Sequence, residues 1–244
     1  MQNSAQRTGK EIALMFSRTT KPMQEEASVF TVTAAAGLLA GASVLMTVPL
    51  YFMYGGAPPA WNVLTRDLIT LLTCAGMLIF MAGISHLAAR LRPAAGFASL
   101  IAAGSGFIFI AITLVTTSLE AGVVFGAPDG SLDPTIDGPL AQANMLAHGP
   151  IKRLLTAIYL FAAGHAALRA GLLPAWLRTA AYLVALINLA FVPSLYFGTD
   201  PTDFYAVHSW ANSAVAGSLL TYWMIAASVV LILTRRRSRQ PRTE

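Results

Sequence analysis

The sequence predicts an all-α fold: a polytopic membrane protein, a bundle of six transmembrane helices with both termini in the cytoplasm. Three observations carry this. The chain of 244 residues is 56% hydrophobic and 11% charged, with mean hydropathy +0.62, whereas a soluble domain carries about 25% charged residues. Six apolar runs recur along it, each near the roughly 20 residues needed to cross the hydrocarbon core. They are continuous rather than alternating, so they read as helices and not as barrel strands. Almost every basic residue falls on one side of those runs.

In chain order, residues 1–26 form a polar cytoplasmic leader, in which Glu11 to Phe16 makes a short amphipathic turn ended by Lys21-Pro22. The first span, Val29 to Phe52, is too long for the apolar region of a cleavable signal and is expected to act as an uncleaved anchor. It contains Gly37-Leu-Leu-Ala-Gly41, a spacing that lets helix backbones approach closely. This spacing serves either packing inside one chain or a homo-oligomer seam. Gly55-Gly56-Ala57-Pro58-Pro59 is an outer loop followed by Trp61, an interfacial anchor. Span two is Leu68 to Ala88, and Arg92-Pro93 makes a tight inner turn before span three, Phe97 to Thr117. Gly126 to Gly138, rich in Gly, Pro and Asp, is a long outer loop. Leu140 to His148 is a short outer helix ended by Gly149-Pro150. Span four, Ile151 to Leu168, turns at Gly171-Leu-Leu-Pro174 into span five, Trp176 to Phe197, which Pro193 kinks. Gly198-Thr-Asp-Pro201 leads to span six, Ala211 to Leu233, and residues 235–244 form a basic cytoplasmic tail. Tyr196, Tyr205 and Trp210 fit an outer aromatic belt. Residues 27–234 thus make one transmembrane domain.

The orientation follows from charge. With six spans, 13 of the 16 basic residues lie on one side, leaving only Arg66, Lys152 and Arg153 on the other. Basic residues are retained in the cytoplasm, which assigns that side. Asp129, Asp133, Asp137, Asp200 and Asp203 fall in the outer loops. The net charge of +5 therefore records topology, and it does not point to nucleic acid. Membrane lipids are the expected partners, and the basic tail favours an anionic inner leaflet. The plasma membrane is the expected location. Cys74, the single cysteine, lies mid-span and reads as a small core residue.

Ionisable groups within or beside spans are costly and are the first place to look for function. One set gathers toward the outer side: Arg66, Asp67, Glu120, His148, Lys152, Arg153 and His208, with Asp203 nearby. Glu120 is flanked by apolar sequence, and Lys152 or Arg153 is its expected partner. The set makes either a buried outer vestibule or a ring of side chains solvated at headgroup depth. A second set lies at the inner ends of spans two and four, where His86 and Arg90, and likewise His165 and Arg169, stand four residues apart and share a helix face. Each pair suits a lipid phosphate, or marks a helix end where arginine snorkels. The two segments echo each other faintly, as a parallel duplication or chance similarity among Ala-rich helix ends would.

The four histidines give one pair per leaflet, the number that two stacked b-type haems require. Their spacing argues against that: His148 and His165 are 17 residues apart, about 100° out of phase at 3.6 residues per turn. No cofactor is expected, and haem is the alternative. Asn188 and Asn212 are further buried polar candidates. The sequence holds no zinc-ligand cluster, phosphate loop or serine-hydrolase elbow, so neither a catalytic residue nor a metal site is assigned.

The closing of span four on Arg169-Ala-Gly-Leu-Leu-Pro174-Ala-Trp-Leu-Arg178 before a fifth apolar span, with the order of the other elements, resembles a bacterial family of six-helix integral membrane proteins catalogued as a domain of unknown function. The resemblance covers residues 28 to 234 and implies a six-helix fold and a bacterial origin. It supplies no catalytic residues and no substrate. The functional expectation is a membrane protein for small-ligand or lipid binding or transport, with its polar site near the outer leaflet. A haem redox protein and a structural or regulatory subunit are the alternatives.

Overall fold

The computed structural model describes residues 27–235 apart from Gly55, Pro128, Asp129, Thr135 and Pro139. The leader and most of the basic tail lie outside these described residues. Six helices are long and apolar enough to cross a membrane: α1 (Ala27–Tyr51), α2 (Ala60–Leu91), α3 (Pro93–Gly126), α4 (Ala141–Ala170), α5 (Ala175–Tyr196) and α6 (Ala211–Arg235). The chain is an all-α, multi-pass membrane protein. Each helix packs on the next, α6 closes against α1, and α2 also meets α4 across the middle. Arg90, Arg92, Arg169, Arg178 and Arg235 gather at one end of the bundle, the arginine-rich face. The loops 52–59, 127–140 and 197–210 lie at the other, the loop face.

Half of the most apolar window of α2 and two thirds of that of α4 are buried in the bundle, against 28% for α5, so α2 and α4 form its centre. Their Phe80, Met81, Ile84, Tyr159 and Leu160 pack with Met224 and Leu231 of α6 and are all but inaccessible. Trp223 of α6 sets its ring edge-on to Phe80 and Tyr159, each at 6.2 Å, and its indole N–H donates to the Leu177 carbonyl of α5 at 3.1 Å. Such a buried indole packs well because its one polar group finds a partner. Leu39, Met46, Leu72, Leu100 and Leu183 point outward, as lipid-facing side chains do.

The glycines of α1 are used inside the chain. A Cβ on Gly37 would collide with Ser228 of α6 and Phe80 of α2, and one on Gly41 with Ile225 of α6. The Gly37–Gly41 seam is therefore a contact between α1 and its neighbours within one bundle.

Three helices lose regularity at the loop face. In α4 the turn Ala147–Ile151 is π-helical and kinked, with Gly149 at φ −84°, ψ −111° and Pro150 beside it. The short outer helix expected to end at Gly149-Pro150 is instead continuous with the fourth span across this kink. In α5, Pro193 tightens the last turn, Val192–Tyr196, into a 3-10 helix. In α6 the first turn, Ala211–Ala216, is π-helical. The 197–210 loop folds down onto these turns. Val207 N–H donates to the Gly198 carbonyl at 2.9 Å, and Ala206, Val207 and Ser209 are buried.

Candidate functional site: a buried ionic cluster at the loop face

Helix lengths decide where the charged residues sit. The helix α2 starts at Ala60, eight residues before the expected Leu68, which carries Arg66 and Asp67 into the helix. The helix α3 runs on to Gly126, nine residues past Thr117, which places Glu120 well inside it. The extra turns keep backbone groups paired while burying side chains that short spans would leave at the surface. Arg66, Asp67, Glu120, Lys152 and Arg153 are consequently all buried, with exposures between 4% and 8%. This favours the vestibule over the solvated ring, because the bundle itself covers the charges.

The direct partner of Glu120 is His148, and neither Lys152 nor Arg153 touches it. His148 Nε2 lies 3.3 Å from Glu120 Oε1, an ion-pair separation that is not aligned as a hydrogen bond. On the other side of the ring, Lys152 Nζ lies 3.1 Å from Nδ1. An ammonium only donates, so Nδ1 accepts and the ring proton belongs on Nε2, facing the carboxylate. The three groups form a line of carboxylate, imidazole and amine. His148 and Lys152 are one helical turn apart across the Gly149-Pro150 kink. Lys152 also sits 5.6 Å above the Phe109 ring of α3. Asn144, one turn before His148, turns its amide toward Glu120.

Arg153 faces another way. Its Nη1 donates to Asn188 Oδ1 of α5 at 3.1 Å, its Nη2 reaches the His148 carbonyl at 3.4 Å, and its guanidinium lies against Gly217 of α6. Asn188, fully buried, passes its own amide proton to the Val184 carbonyl at 2.9 Å. Beside these, Asn212 of α6 donates to Ser194 Oγ and to the Val207 carbonyl, both at 3.1 Å, which ties the loop to the broken turns.

Arg66 lies over the Tyr51 ring at 4.3 Å, while its Nε and Nη2 have no hydrogen-bond partner. Charge interactions join Arg66 and Asp67 to Glu120. One oxygen of Asp67 and one nitrogen of Arg153 are also buried without partners, as are the side-chain oxygens of Asn62, Asn144 and Asn212. A buried polar group without a partner costs about 1–3 kcal/mol. Among the described residues, eight of the thirteen such atoms lie in this cluster.

His208 stands apart from this cluster on the 197–210 loop, half-buried, and touches it only through longer-range interaction with Glu120. Burial lowers its pKa from the ordinary 6.5, against opposing influences of Asp133 and Glu120. Asp203 is exposed. At the arginine-rich face, His86, Arg90, His165 and Arg169 are all exposed, and the two His–Arg pairs belong to α2 and α4 respectively. Tyr51, Asn62 and Asn144 are members of the loop-face site that sequence reasoning missed. Asn144 had a signal, since it precedes His148 by four residues and shares its face. Tyr51 and Asn62 had none, because Tyr51 read as the apolar end of span one and Asn62 as part of the connection to span two.

Among the described residues, no group of three or more histidine, cysteine or acidic side chains is placed to hold a metal ion. Comparison with family models, curated proteins and solved structures returned no match.

Proposed function

We propose that the protein binds a small anionic ligand, either a free solute or the headgroup of a lipid, in the loop-face cluster, and that transport is the activity this site serves. In this reading the arginine-rich face lies in the cytoplasm of a bacterium, so the site opens toward the outer leaflet of the plasma membrane. The observation that carries the proposal is the burial of three cations, Arg66, Lys152 and Arg153, with only two carboxylates, Asp67 and Glu120. With His148 neutral, the cluster holds one positive charge in excess. A bound anion balances it and supplies acceptors for the free Arg66 nitrogens.

The broken helices support the same reading. Non-helical backbone at membrane depth is tolerated where it is buried in protein or lines a cavity, and transporters place substrate at such breaks. Here the kinked turn of α4 and the irregular ends of α5 and α6 surround Arg153 and Asn212. The haem alternative draws less support, because His148 engages one neighbour through each ring nitrogen and an axial ligand needs one of them. A purely structural subunit needs no buried charge excess.

The test is a thermal-shift titration of detergent-purified protein. Its probes are acetate, inorganic phosphate, glycerol phosphate and a soluble short-chain phosphatidylglycerol, with choline as the cationic control. A saturable rise in Tm with an anion, lost in Arg66→Gln, is expected. Response to glycerol phosphate identifies a free solute, whereas response to the short-chain lipid alone identifies a headgroup. Equal response to choline, or none to any anion, contradicts the proposal.

A further inference from the structure

A second site lies at the opposite end of the bundle, on its outer surface. The helices α3 and α5 flank α4 there and leave a groove of about 490 Å³, lined by Phe97, Ile101, Ile158, Phe161, His165 and Tyr182 among others. It is apolar except for the imidazole and the phenol. It opens sideways, since Phe97, Ile101 and Ile158 remain well exposed, so it faces hydrocarbon and not water.

The polar groups sit at one end only. Arg169 follows His165 by four residues and shares its face of α4. Arg178 precedes Tyr182 by four and shares its face of α5. The tight turn between these helices leaves the two arginines at the same end of the bundle. Gly171 ends α4 in the left-handed region at φ 65°, Leu172 N–H bonds back to the Ala167 carbonyl at 3.1 Å, and Leu172 and Leu173 are buried. Gly164 then lets α4 and α5 close up, since a Cβ there would stand 3.1 Å from Ala181. Arg178 Nε is buried without a hydrogen-bond partner. The first His–Arg pair has none of this. His86 and Arg90 are exposed on α2, away from the groove, and Arg90 has an interaction of its own.

We propose that this groove binds an anionic glycerophospholipid from the leaflet that meets the arginine-rich face. One acyl chain lies along Ile101, Ile158 and Phe161, and the phosphate is held by Arg169, Arg178 and His165. Arginine suits this because its guanidinium pairs phosphate through two parallel bonds. The site is independent of the loop-face cluster.

Native mass spectrometry of the whole protein in mild detergent tests it, with phosphatidylglycerol and phosphatidylcholine of identical chains added at equal concentration. Wild-type protein should retain the phosphatidylglycerol adduct about tenfold more than the phosphatidylcholine adduct, the scale of losing one charged hydrogen-bonding contact. The Arg169→Gln, Arg178→Gln double variant should abolish that preference, and His86→Gln, Arg90→Gln should keep it. Arg169 is exposed and Arg178 partly buried, so the Tm of the double variant is checked against wild type, and Arg169→Gln alone should weaken the preference. Equal retention by wild type, or a preference that survives the Arg169, Arg178 double variant, overturns the proposal. So does a preference lost equally in the His86, Arg90 variant.

Discussion

Lys152 and Arg153 are adjacent in sequence and meet burial differently. The lysine ammonium is a point charge. It rests on one imidazole nitrogen and the face of Phe109. The arginine guanidinium spreads its charge across an amide oxygen, a carbonyl and the bare backbone of Gly217, a fit that lysine cannot reproduce. His208 makes the residue-scale prediction. Its lowered folded pKa means that the unfolded chain takes up a proton first as pH falls. Stability is therefore full above about pH 6.5 and declines below it, down to the folded pKa. In melts between pH 7.5 and 5.5, His208→Gln should flatten the loss of Tm on acidification relative to wild type. A parallel slope in the variant would remove His208 from the account. At this scale the sequence was informative about identity and silent about partners. Glu120 was singled out by its apolar flanks, yet its contact with His148 depends on the phase between two helices, which no local pattern records.

At the scale of the element, the six helices were legible because twenty apolar residues in a row have few other uses. Their ends were not. Charged residues such as Arg66, Asp67 and Glu120 read as span boundaries, whereas here they are buried residues inside longer helices. The kink at Gly149-Pro150 read as a helix stop for a similar reason, since proline removes a backbone donor, but a π turn absorbs it. That turn makes its own prediction. A Cβ on Gly149 would stand 2.8 Å from the Val207 carbonyl oxygen and 2.9 Å from the Val207 side chain. Gly149→Ala should therefore cost about 1–3 kcal/mol through overpacking. Gly104→Ala, where a Cβ meets open space, should be neutral or gain up to about 1 kcal/mol from helix propensity. Comparing the two Tm values checks this, and a tolerated Gly149→Ala would mean that the loop does not rest on the kink.

At the scale of the whole molecule, the two faces differ in kind. One carries exposed arginines beside a lipid-facing groove, and the other carries buried charges beneath folded loops. The charge bias predicts that the arginine-rich face is cytoplasmic. Compartment-sensitive reporters fused at Asp133 and after Glu244 should then report opposite sides, the second inside. A C-terminal reporter active outside would reverse the placement of both sites.

The central claim is that the loop-face charges form one buried, coupled unit, and a double-mutant cycle on Glu120 and Lys152 tests it most directly. The two residues are linked through His148, so removing either leaves the other buried charge uncompensated, at roughly 3–5 kcal/mol. Removing both should cost less than the sum, giving a coupling energy of about 0.5–3 kcal/mol. Melts of Glu120→Ala, Lys152→Ala and the double variant in detergent would read this out. The account predicts large single effects that are strongly shared. Small, additive effects of about 0–1 kcal/mol, the size expected of solvated pairs, would contradict it.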